Sequence, residues 1–125
     1  MAENIEEIRA QQKEALITVH DYIEKLFAAI PKCAEELMNG RLPDTTEYLK
    51  AILNGVNFVT EVFNRTMDYV NETEKNVDKD ELNALVLDFM AKYEKNDDGI
   101  TAEAMIDDLL PYMQKFYDAI EKTCY

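Results

Sequence analysis

Apolar residues recur along this chain at steps of three and four, and only a few places break the pattern. The longest series is Ile5, Ile8, Ala15, Val19, Ile23, Leu26, Ile30 and Leu37. That spacing puts apolar side chains on one face of a helix and predicts a first helix from about Ala2 to Asn39. Pro31 falls inside it. Proline has no N–H to donate and disfavours a helical residue before it, so a kink, or a second short helix from Pro31, is expected. Gly40 follows as a left-handed terminator.

A second stripe runs through Leu49, Ile52, Val56, Val59, Phe63, Thr66 and Val70. Asp44 should open this helix, with Glu47 three residues on completing a reciprocal cap. Gly55 lies within it, where glycine costs about 1 kcal/mol relative to alanine. A close approach by a neighbouring helix or side chain is the expected reason. Residues 71–77 are polar and turn-like. Asp78, with Glu81 three residues on, caps a short third helix carrying Leu82, Leu85, Phe89 and Tyr93. Residues 94–99 read as a loop. Thr101 then caps the fourth helix, with Ile100 as an apolar staple on Met105. Met105, Leu109, Tyr112, Phe116 and Ile120 form its stripe, and Pro111 should bend it. Acid-before-base pairs at four-residue spacing, such as Asp21/Lys25 and Asp88/Lys92, suit helix throughout. The pattern predicts an all-α fold, an up-down four-helix bundle with a kinked first helix, in one domain spanning residues 1–125.

Composition sharpens this picture. A chain of 125 residues with 47% hydrophobic content can bury a core unaided, hiding roughly two-thirds of its surface. Its 26 acidic and 13 basic residues leave a net charge of −13. Such a chain repels phosphate backbones and has no basic cluster, so binding to nucleic acid or anionic lipid is not expected. A solvated face is the ordinary meaning of this acidity, and a docking surface for a basic partner is the functional one. The first residues are acidic and lack an apolar core, so no secretory signal is expected. No run approaches the roughly 20 apolar residues of a membrane span. A cytoplasmic location is the expectation. Cys33 and Cys124 would lie at opposite poles of an up-down bundle, and both should be free thiols.

The motifs of chemistry are missing. Counted back from Gly99, residues Glu94, Asn96 and Asp98 mimic the first ligands of a calcium loop, but Met105 stands where the closing glutamate belongs. An acidic turn is the expectation. A di-iron bundle needs Glu-x-x-His on two helices, whereas His20 is the single histidine and Ile17 precedes it by three. His20 follows Val19 and should lie at the edge or surface. Neither cysteine has an adjacent base, and three glycines build no phosphate loop. The chain is therefore expected to be no enzyme and to hold no metal or cofactor.

The run from Ile30-Pro31 to Glu36-Leu37 and Gly40, and the stretch from Ile52 to Phe58, resemble an uncharacterised family of small Gram-positive bacterial helical bundles, a domain of unknown function. The likeness covers about residues 22–70. It implies a helical bundle and supplies no catalytic residues. A looser, fold-level likeness is to flagellar export chaperones, acidic four-helix proteins that hold a client's helical tail.

Seven tyrosines are the remaining feature. Tyrosine suits bundle edges with its hydroxyl in water, and equally a groove that receives a partner's helix. The functional expectation is a non-enzymatic interaction or chaperone-like bundle that binds a protein partner, helical or basic, through Tyr48, Phe58, Tyr69 and Tyr112. A homodimer covering leftover apolar surface is a further option. The alternative is a small-ligand or metal-binding bundle, using the 94–98 loop or an apolar pocket near Pro111.

Overall fold

The computed structural model describes residues 2–125, with side chains from residue 4 onward. Four helices make up the fold: α1 (Ala2–Asn39), α2 (Thr45–Val70), α3 (Lys79–Tyr93) and α4 (98–124). The last is α-helical over Asp98–Ala104 and Leu110–Cys124, with a π-helical turn at Met105–Leu109 between them. No strand occurs among the described residues. None of the helices is long and apolar enough to cross a membrane.

Cross-helix contacts fix the directions. Arg9 meets Asp68 at 3.2 Å near one end of the α1–α2 pair, and Glu36 accepts from Thr45 at the other, so these helices are antiparallel. His20 lies against Glu121, and Arg41, just past α1, grips Asp98, making α4 antiparallel to α1. Lys92–Asp108 and Glu81–Lys115 set α3 antiparallel to α4. The core sits where α1, α2 and α4 meet. Leu16, Ile23 and Ile30 face Phe63 and Phe116, whose ring centroids are 4.0 Å apart.

Gly55 has the neighbour its sequence position called for. A Cβ there would come within 2.9 Å of Cε1 and Cζ of Tyr22, so the α1 tyrosine lies directly on the α2 backbone. Gly40 takes φ +108 at the end of α1, a conformation that strains any residue with a Cβ.

Several local expectations change. Pro31 does not divide α1, which runs on unbroken. It sits on the exposed face, where water can satisfy the carbonyl its missing N–H leaves free. Ile5 and Ile8 belong to the apolar stripe yet are 59% and 50% exposed. Ile8 borders a shallow, open pocket with Val62, Arg65 and Thr66 of α2, where no side chain covers it. Asp44 stands at the cap position just before α2 but makes no side-chain cap. The buried Thr45 organises that turn instead, accepting from the Leu42 N–H and donating to Glu36.

At α4 the cap is Asp97, which accepts from the Ile100 N–H. Gly99 lies in the first turn and Thr101 is buried inside the helix. Asp78 caps α3 as its sequence suggests, accepting from the N–H groups of Asp80 and Glu81. Near Pro111 the helix widens into its π turn. A proline ring collides with the carbonyl four residues back, here Asp107, and a wider turn accommodates it.

Candidate functional site

No Cα of α2 comes within 8 Å of a Cα of α3 among the described residues, although the two are consecutive in sequence. Both rest on α4, and a groove is left between them. One part is a cavity of about 280 Å³ walled by Leu53, Val56 and Asn57 of α2 and by Leu85, Val86, Phe89, Met90 and Tyr93 of α3. A second cavity of about 280 Å³ continues it past Asn64 and Met67 of α2 and Leu82 and Asn83 of α3. Thr60, Val86 and Tyr112 line both. From Leu53 to Met67 the groove follows α2 for about 21 Å at 1.5 Å per residue.

The floor comes from α4 and carries the polar groups. Tyr112 is 4% exposed, and its Oη lies 2.9 Å from Thr60 Oγ1. Thr60 has one hydroxyl proton, which goes to the Val56 carbonyl, so Tyr112 is the donor to Thr60. Burial pushes the Tyr112 phenol up from its ordinary value. Asp108, in the π turn, is a buried carboxylate held by Lys92 of α3 at 3.0 Å. This hydrogen bond raises the lysine pKa, as do the nearby charges of Asp108, Asp107 and Asp88. The end of the groove near Tyr93 thus sets three aspartates against one lysine. Its walls are mainly hydrocarbon around Leu53, Val86 and Met90 and mixed with amides around Asn64 and Asn83, which suits recognition by burial at that first end.

A family model described as a domain of unknown function (DUF8042) matches residues 14–119. The chain belongs to this family. The matched span contains every residue lining the groove, and it reaches well beyond the stretch around residues 22–70 that carries the sequence likeness. No curated protein and no solved structure matches the chain significantly.

Of the four residues singled out from sequence, only Tyr112 lines the groove. Phe58 projects on the α1 side of α2, 44% exposed, with its ring edge-on to Tyr22 at 5.8 Å. Tyr69 lies beneath the Arg9 guanidinium at 5.4 Å. Tyr48, partly buried near the start of α2, has its phenol pushed up chiefly by burial. The four do not share one surface. The sequence reading missed Leu85, Val86, Met90 and Asp108, because apolar side chains at helical spacing look the same whether they meet a neighbour or a gap.

The apolar pocket suggested near Pro111 coincides with the groove, whose floor includes Leu109 and Tyr112 on either side of that proline. In the 94–98 loop Asp98 is engaged by Arg41 through two nitrogens at 2.9 Å, and Asp97 is spent on its cap. Asn96 turns the chain with φ +54, a conformation asparagine tolerates. His20, expected at the edge or surface, lies at the edge of the core and is 7% exposed, because Tyr117 of α4 stacks on its ring and Tyr125 closes over it. Cys33 and Cys124 are free. Burial pushes the Cys33 thiol up to about 11.

Proposed function

We propose that this chain is a non-enzymatic, cytoplasmic interaction bundle that holds one amphipathic helix of a partner protein in the groove between α2 and α3. The carrying observation is the groove itself, a trough about 21 Å long left open where two consecutive helices fail to meet, apolar around Leu53, Val86 and Met90 and mixed around Asn64, Lys79 and Asn83. Its length matches about four turns of helix, and an apolar stretch beside a polar one suits the two faces of an amphipathic helix. The partner helix carries a basic flank, in keeping with the net charge of −13 and the aspartates grouped around Lys92.

The test is an NMR titration of the full chain with a synthetic Leu/Lys amphipathic peptide of about four turns. Resonance changes confined to the groove, abolished by Val86→Lys and not produced by a Leu/Glu peptide, support the reading. Changes spread over the acidic surface, or binding indifferent to Val86→Lys, overturn it. A second reading is favoured by the enclosed cavity beside Pro111, which approaches the size of small-molecule sites at about 280 Å³. A stoichiometric apolar small molecule extracted from the purified protein would support that alternative.

A further inference from the structure

We infer that His20 Nδ1, Asp21 and Glu24 form a binding site for a divalent transition-metal ion, zinc by the character of its ligands, on a face of the bundle that the groove does not use. The His20 side chain is more than nine-tenths buried, yet its Nδ1 has no hydrogen-bond partner. That nitrogen points at two carboxylates, with Asp21 Oδ1 at 3.8 Å and Glu24 Oε1 at 3.7 Å. One ligand atom from each of the three residues lies within 4.8 Å of the others.

The other ring nitrogen settles the tautomer. Nε2 lies 3.3 Å from Glu121 Oε2, so the neutral imidazole donates its proton there and turns the Nδ1 lone pair toward Asp21 and Glu24. A lone pair facing two anions is repulsive until a cation sits between them. A zinc ion bound by nitrogen and oxygen at 2.0–2.2 Å separates adjacent ligand atoms by about 3.4 Å. The two separations from Nδ1 are a few tenths of an ångström longer, the three ligand atoms all lie within 4.8 Å of one another, and the two exposed carboxylates can turn inward to take up the difference.

The surroundings are those of a metal-ligating histidine. The ring is fixed by Tyr117, stacked at a centroid distance of 4.1 Å, and by Tyr125 at 4.9 Å. Glu121 plays the part of the outer carboxylate that orients such a ring. A mixed nitrogen and oxygen donor set selects zinc or its neighbours over calcium and magnesium, which take oxygen ligands alone. Three ligands from one turn of α1 leave a coordination position open to water.

The experiment is a calorimetric zinc titration of the full chain carrying Cys124→Ser, which removes the partly exposed free thiol as a competing ligand. It is paired with nitrogen NMR of the imidazole. The expected result is one zinc per chain, a shift of the Nδ1 resonance, and an Nε2–H that stays bonded. Asp21→Asn and Glu24→Gln alter exposed side chains and keep the fold, and each should weaken zinc at least tenfold. Glu121→Gln should weaken it by about 10–100-fold while leaving the stoichiometry at one. Absence of saturable binding at millimolar zinc, which would leave a proton as the sole occupant of that position, overturns the site. So does zinc binding that ignores the Asp21 and Glu24 substitutions. Neither result touches the groove, whose test uses no metal.

Discussion

The α1–α2 seam and the α2–α3 gap are built from the same kinds of residue and end in opposite ways. Along the seam an α1 tyrosine rests on a bare stretch of α2 backbone at Gly55, and large side chains such as Val59 and Phe63 are fully enclosed. Across the gap, α3 offers Leu85, Val86 and Met90, but only Leu82 and Phe89 of its fifteen residues are buried. The difference teaches that apolar content does not close a bundle by itself. A small residue such as Gly55 lets a neighbouring side chain reach the backbone, whereas α2 and α3 are each packed on α4 and not on one another. Its attachment is to α4, through two ion pairs and a few apolar contacts.

This contrast can be broken most sharply by truncating one large side chain on each side. Phe63→Ala should lower stability by about 3–5 kcal/mol, and Leu85→Ala at the groove wall by only about 1–2 kcal/mol, in denaturant melts. Equal losses would mean that α3 is as firmly packed as the rest. Next comes the seam itself. Gly55→Ala gains about 1 kcal/mol of helix propensity, yet should cost about 1–3 kcal/mol net by pushing Tyr22 off the α2 backbone. Combining it with Tyr22→Ala should remove most of that penalty, and strictly additive effects would show that the contact does not restrain α2.

Hydrogen exchange gives a finer reading of the same contrast. Amides of α3 should open about tenfold more readily than those at the centres of α1, α2 and α4, because fewer buried contacts hold them. The smallest effect concerns acid. Hydrogen bonds from Arg9, from backbone N–H groups and from Arg41 hold Asp68, Asp78 and Asp98 respectively below the ordinary aspartate value of 3.8. Their stabilisation is fully present above that value and disappears as the pH falls below it. Thermal melts should therefore show an extra loss below about pH 4 that shrinks when Asp98→Asn removes one contributor. A wild-type curve that matches the Asp98→Asn curve would show that the Arg41 contact adds nothing.

How far the sequence foretold this molecule follows from what each feature depends on. The stripes, the Asp78 cap, the Gly40 terminator and the crowding at Gly55 are written in residues a few positions apart, and each is found in the structure. The start of α4 was misplaced because Asp97 and Thr101 are both sound caps and only the folded loop, with Asp98 held by Arg41, chooses between them. His20 looked solvated because Tyr117 and Tyr125, which cover it, stand about a hundred residues away. The groove was invisible for a related reason. Leu53, Leu85 and Val86 carry the spacing of core residues, and the failure of α2 and α3 to touch is a property of how α4 spaces them. Lys92 was paired on paper with Asp88 one turn earlier, whereas the fold gives it Asp108.

One arrangement also bears on how the chain acquires its shape. The broadest neighbour of α1 is α4, so the first helix and the last form the principal interface. On a ribosome, α1 emerges with its apolar face uncovered and can close only part of it against α2. The remainder waits until residues 98–124 have left the exit tunnel. Synthesis is thus a period of exposure for this chain, ended by its final helix.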